Sequence, residues 1–181
     1  MNIKMVRVKE EHLQMLMDWR MSPSITKYMN TDPKLTLEGQ KKWLQSLEND
    51  PTRNNWVIYV DDKPVGSINL SNIDYVNSRT DWGYYIADTG ARSLELAMLI
   101  EWGLYDYVFG TLKLNRLYNE VFAENENVAK LHLLCGSKQE GVLRSHVKKN
   151  NNYYDIIVIS ILSQEWDEIK NKVPWQKIDF E

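Results

Sequence analysis

The chain has 181 residues, of which 43% are hydrophobic and 26% charged, with a net charge of -3. That is enough for one domain with a full core, and the balance excludes disorder as the default state. The small acidic surplus argues against a nucleic-acid partner, and no apolar run approaches the ~20 residues of a membrane span.

Ile3, Met5 and Val8 alternate with Lys4 and Arg7 and predict a short first strand. Before it there is no apolar stretch of the kind a signal peptide carries. Glu10 to Arg20 places Leu13, Leu16, Met17 and Arg20 at helical spacing, and Ser22-Pro23 ends that helix. Asn30-Thr31-Asp32-Pro33 reads as a loop. Thr36 is the expected N-cap of a second helix with Leu37, Gln40, Trp43, Leu44 and Leu47 on one face. Trp56–Val60 and Pro64–Ile73 are strands around a tight turn at Asp61-Asp62-Lys63, and Thr80–Ala87 is a third. Asp88-Thr89-Gly90-Ala91 leads into a long apolar helix from Arg92 to Phe109. Leu114–Phe122 is a strand and Glu126–Cys135 a helix. Gly141–Val147 and Tyr153–Leu162 are strands on either side of a turn, and Ser163 to Glu181 reads as a short helix and tail. The class is α+β, with one mixed, mostly antiparallel twisted sheet of about seven strands flanked by about four helices. The one cysteine, Cys135, allows no internal disulfide and fits a reducing, cytoplasmic setting. Beside Gly136, with no paired base, it reads as a buried structural thiol. No residue set is assigned to a metal.

Two segments carry chemistry. Trp82-Gly83-Tyr84-Tyr85-Ile86-Ala87 runs through Asp88-Thr89-Gly90-Ala91 into the long helix. A helix N-terminus offers unpaired N–H groups and partial positive charge, which suits a pyrophosphate. Taken alone, the same segment is an ordinary strand-to-helix connection. In the second, Asn125 opens a helix that carries His132 two turns in. Asn125 can cap that helix or hydrogen-bond an amide-rich ligand; His132 can protonate a departing thiolate or simply sit on a half-buried face.

The order of these pieces resembles the GNAT superfamily of N-acetyltransferases over roughly residues 3–162. Arg92-Ser93-Leu94-Glu95-Leu96-Ala97 stands where the family has R/Q-x-x-G-x-G/A. Asn125, Val128, His132 and Gly136-Ser137 stand where it has N-x-x-A-x-x-x-Y-x-x-x-G-F. Arg92 and Ala97 match; Glu95 replaces a glycine near the expected pyrophosphate, and His132 replaces a tyrosine. The resemblance implies a GNAT domain over residues 1–165 and a C-terminal helix and tail over 166–181. It implies acetyl-CoA or another short acyl-CoA as co-substrate, with direct transfer and no acyl-enzyme. Backbone groups of Tyr84 and Ile86 would hold pantetheine, with Tyr85 between them in the cofactor site, residues Arg92 to Ala97 would hold the pyrophosphate, and Asn125 and His132 would complete the donor site. The N–H groups near Tyr84 would stabilise the developing oxyanion.

Trp19-Arg20 with Tyr28-Met29, the run Pro64 to Asp74, and Glu140 to Asn150 with Tyr153-Tyr154-Asp155 are similar to RimJ/RimL-like GNATs. Among these, the chain is most like those that acetylate nucleotide-linked amino sugars in pseudaminic acid biosynthesis. That similarity implies a small-molecule nucleotide-sugar acceptor, met by Trp19, Arg20, Tyr28, Met29, Asn69 and His146. Asp74, Asp81, Glu120 and His146 are candidate bases, with Asp81 preferred because it precedes the cofactor strand. Two other readings stay open: acetylation of a protein N-terminus, and a catalytically silent binding module. Trp166 and Trp175 serve either a homodimer contact or packing on their own chain.

Overall fold

The computed structural model describes residues 1–181. Eight strands form one sheet in the order β6-β7-β5-β4-β3-β2-β1-β8. They are β1 (Ile3–Arg7), β2 (Asn54–Val60), β3 (Lys63–Asp74), β4 (Arg79–Ile86), β5 (Arg116–Phe122), β6 (Lys138–Lys149), β7 (Asn152–Leu162) and β8 (Asp179–Phe180). The helices are α1 (Leu13–Met21), α2 (Pro23–Thr26), α3 (Leu37–Glu48), α4 (Leu94–Asp106), α5 (Glu126–Leu134) and α6 (Ser163–Ile169). The expected counts of seven strands and four helices are therefore low. The additions are β8 and α2, each too short to leave a periodic pattern, while α6 is the short helix expected from Ser163. The expected long helix ends at Asp106 and passes into a π-helical turn, Tyr107–Thr111.

Alternation along β2 sets the layers. Trp56 and Ile58 face a core of α4, β3 and α6, while Val57 faces α1 with Val8, Leu13 and Leu16. The β2–β3 connection is a two-residue turn in which Asp61 and Asp62 both have positive φ, 47° and 64°. Asn150 and Asn151 do the same between β6 and β7, at 48° and 64°. Side chains that hydrogen-bond locally tolerate this left-handed region best.

Residues 166–181 are woven into the fold. Trp166 is 1% exposed and packs edge-on against Tyr105 and Trp175. The homodimer role considered for Trp166 is thus replaced by packing on its own chain. Ile178 fills the space that a side chain on Gly103 would need, and β8 pairs in parallel with Lys4 and Met5 of β1.

Candidate active site

β4 and β5 run parallel and pair only at Arg79–Arg116, Thr80–Leu117 and Asp81–Tyr118. Beyond Asp81 they diverge, and a cavity of about 1140 Å³ opens between them. The N–H of Ala87 is spent on the Val65 carbonyl of β3. By strand alternation, the backbone groups of Tyr84 and Ile86 therefore face the open side. The Ile86 carbonyl there accepts from Arg92 Nε at 2.9 Å.

The start of α4 lies at one end of this cavity. Ser93 caps the helix by accepting from Leu96 N–H at 3.1 Å, and Ala97 N–H returns to the Ser93 carbonyl. The N–H groups of Leu94 and Glu95 have no protein partner. Arg92, Ser93, Leu94 and Ala97 line the cavity; the exposed Glu95 and the buried Leu96 do not. The Glu95 carboxylate is thus turned away from the wall it was expected to disturb. A free strand edge beside unpaired N–H groups suits an extended amide chain ending in phosphates.

Asn125 precedes α5 with φ -89° and ψ 54°, and its side chain makes no capping bond. The cap reading fails because the backbone is not in the extended conformation that aims a side chain at the helix N–H groups. Its amide is left on the cavity wall.

His132 also lines the cavity, yet it is 2% exposed. Its Nδ1 lies 2.9 Å from Glu101 Oε1, its Nε2 2.8 Å from the Asn119 amide, and its ring meets Trp82 edge-on. Glu101 is wholly buried. It also accepts from Tyr105 Oη at 3.0 Å and from Tyr84 Oη at 3.3 Å, while Tyr105 Oη reaches Ser137 Oγ. Burial, then the Glu101 charge, hold the Tyr84 and Tyr105 phenols well above their ordinary range, so they act as donors and not as phenolates. Cys135 is 1% exposed and its thiol is pushed up by burial, then by Glu101, so it stays protonated.

The other end of the cavity is lined by Arg20, Tyr28, Met29, Thr31, Trp43 and Asn69. Arg20 is held by three bonds of 3.1–3.3 Å to the Thr31 carbonyl and hydroxyl. Asn69 donates to Ser71 Oγ at 2.9 Å.

The GNAT acetyltransferase domain model matches residues 2–138. The chain belongs to the GNAT acetyltransferase family. It is a GNAT-type N-acetyltransferase that uses acetyl-CoA or another short acyl-CoA as co-substrate. N-acetyltransferase p20 of Bacillus licheniformis is 28% identical over 169 residues, 88% of this chain and 92% of that protein. Acetyltransferase PseH of Campylobacter jejuni is 24% identical over 125 residues, 69% of this chain and 76% of the relative. The fold superimposes on spermidine N-acetyltransferase from Vibrio cholerae, solved with CoA and spermine, with a TM-score of 0.85. That likeness carries 19% identity and covers 91% of this chain and 98% of the other.

Several sequence expectations for this GNAT meet a different geometry. Trp19 is absent from the cavity and packs with Val8, Leu13, Leu16 and Val57, while Trp43 of α3 takes a place on the wall. His146 is exposed and off the wall, 3.9 Å from Glu120. It falls in a bulge where Ser145 has φ 52° and its N–H is held by Asp155. Asp81 lies outside the cavity, bonded to Asn72 at 2.6 Å, its carboxyl raised by burial. Asp74 is tied to Asn77 and also lies outside. Of the four candidate bases only Glu120 lines the cavity. Sequence reading missed Glu101, Asn119 and Trp43. Glu101 had a signal: it is the one charge in the apolar run between Glu95 and Asp106.

Proposed function

We propose that this GNAT transfers an acetyl or related acyl group to the amine of a nucleotide-linked amino-dideoxy sugar. The acceptor would resemble UDP-4-amino-4,6-dideoxy-N-acetyl-altrosamine or a dTDP-3-amino-3,6-dideoxyhexose, in the making of surface-glycan precursors. The observation that carries this reading is the charge of the cavity wall: Arg20 stands at the acceptor end, and the whole wall holds one carboxylate, Glu120. A polyamine acceptor asks for several carboxylates, whereas a nucleotide diphosphate asks for guanidinium groups. The remaining wall suits the rest of such a molecule. Gln40, Asn55, Ser67 and Asn69 offer amides and hydroxyls for a sugar, and Tyr28 and Trp43 offer aromatic surface for a base. The RimJ/RimL-like sequence pattern and the similarity to PseH support the same acceptor class.

In this reading the open edge of β4 and the N–H groups of Leu94 and Glu95 hold the donor, which supplies the activated acyl carbon. Arg20 binds the acceptor's phosphates. Glu120 attracts the amine in its ammonium form, the ammonium gives its extra proton to water, and His132 handles the second proton as the free amine attacks.

The test is acyl-CoA consumption with amino-sugar nucleotides, spermidine and a short peptide offered side by side. Turnover confined to the nucleotide sugars supports the assignment, with Arg20→Ala raising the acceptor KM about tenfold or more by loss of a charge-assisted contact. Turnover confined to spermidine or the peptide replaces it.

A further inference from the structure

The buried carboxylate of Glu101 has no Lys or Arg partner. Its neighbours are the hydroxyls of Tyr84 and Tyr105, the Cys135 thiol and the ring of His132. A carboxylate at 0% exposure is costly unless each oxygen is met by a donor. Here Oε1 receives Tyr84 and His132, and Oε2 receives Tyr105. Because the carboxylate can only accept, the short contact to His132 requires a proton on Nδ1. In the neutral ring, Nε2 is then the unprotonated nitrogen, and Nε2 is the one beside Asn119, which lies with His132 on the cavity wall. Asn119 can present its nitrogen to a bare Nε2 or its oxygen to a protonated one, so the ring keeps a partner in both states.

We propose that Glu101 is a positioning residue for acyl transfer. It fixes His132 with Nδ1–H directed into the core, so that Nε2 is the atom that moves the proton. The inference rests on the acyltransferase reading above. His132 Nε2 takes the proton that the acceptor amine sheds as its C–N bond forms, with Asn119 yielding that atom. It returns the same proton to the sulfur as the C–S bond breaks. The ring is neutral before and after, and Glu101 faces the transient imidazolium without itself being protonated, the logic of a histidine oriented by a buried carboxylate.

The deciding experiment labels histidine with nitrogen-15 and reads the ring tautomers of the substrate-free protein by long-range proton–nitrogen correlation. The chain has three histidines. His12 is an internal reference of the opposite kind, because its Nδ1 accepts from Lys9 N–H at 3.0 Å. The expected result is Nδ1–H for His132, assigned by its loss in His132→Gln, and Nε2–H for His12. A His132 ring found as the Nε2–H tautomer overturns the proposal whatever the acceptor proves to be, so this arm stands apart from the assignment of substrate. A kinetic arm compares Glu101→Gln in two backgrounds. In the wild type it should lower kcat by about 100-fold, with both KM values within about twofold, the scale of lost general acid–base help. In His132→Tyr, whose phenol has no tautomer to set, the same change should cost about threefold or less. Equal losses in both backgrounds would make Glu101 a purely structural buried group and would overturn the role assigned here.

Discussion

Replacing Gly66 by alanine tests how the donor strand is held. β3 carries a bulge at Val65, opposite the step from Ile58 to Tyr59, which brings the Gly66 backbone against β4. A Cβ on Gly66 would lie 3.0 Å from Ile86 Cα and 3.1 Å from Tyr85 C, and closer still to the Tyr85 carbonyl oxygen. All three are backbone atoms and none can rotate away, so β4 itself must shift. Overpacking of this kind costs about 1–3 kcal/mol where side chains can yield, so about 3 kcal/mol is the expectation here. At about 2–4 °C per kcal/mol for a chain of this size, the melting temperature should fall by about 6–12 °C. The atoms displaced adjoin Tyr84 and Ile86 on the open edge, so acetyl-CoA should bind about tenfold more weakly, a change of about 1.4 kcal/mol. Thermal denaturation and isothermal calorimetry read the two effects. Gly141→Ala is the control, since nothing lies within 4 Å of its added carbon, and it should melt within about 2 °C of the wild type. If Gly66→Ala also melts within 2 °C and binds acetyl-CoA unchanged, the close approach of β3 does not set the donor edge.

Lys149→Ala removes the tie between the β6–β7 tip and the acceptor loop, where Lys149 Nζ donates to the Thr26 carbonyl at 2.6 Å and pairs with Asp32 at 3.0 Å. Amide exchange over residues 27–35 should quicken and the acceptor KM rise about 3- to 10-fold, while acetyl-CoA affinity holds; unchanged exchange would show the loop stands without the tie. Glu140 is held down to about 2 by two bonds from Arg116 and one from Ser160. A depressed carboxyl stabilises the fold above its unfolded value and loses that contribution as pH falls through the folded one. Wild type should therefore out-melt Glu140→Gln at neutral pH, and the gap should close between about pH 4.5 and 2; a gap constant with pH would refute the pairing. Cys135, buried and with its thiol raised, should resist thiol reagents in the native protein and react only in denaturant; rapid native labelling would mean the α5 end opens readily.

Much of the fold was legible because the long elements carry clean periods. Thr36 caps α3 by accepting from Gly39 N–H, as its place before Leu37 foretold. The two-aspartate turn and the helix opened by Asn125 fall where the pattern put them. What escaped depends on contacts between distant residues. Trp19 and Trp43 both sit on amphipathic helices, and only the packing of α1 on Val57 decides which of them meets the cavity. His146 came from the resemblance of the Glu140–Asn150 run, and the bulge at Ser145 leaves it off the wall; a serine with φ 52° leaves no trace in a single sequence. Glu101 and His132 lie on different helices, so their pairing appears only once α4 and α5 pack.

The two edges of the sheet are managed differently. β8 covers Lys4 and Met5, and Arg7 N–H is taken by the Glu181 carbonyl. β6, at the opposite edge, shows nine of its twelve residues to solvent, with Val142 48% and Leu143 37% exposed. A flat strand of that kind would template pairing with other chains. β6 is not flat: Glu140 is an extra residue opposite Gln139 and Gly141's partners, and the stretch around Ser145 departs from register again. The bulges bend the edge, and Lys138, Lys148 and Lys149 charge both of its ends. Irregularity thus guards this edge, and deleting Glu140 to straighten the pairing would trade a better hairpin for a sticky one.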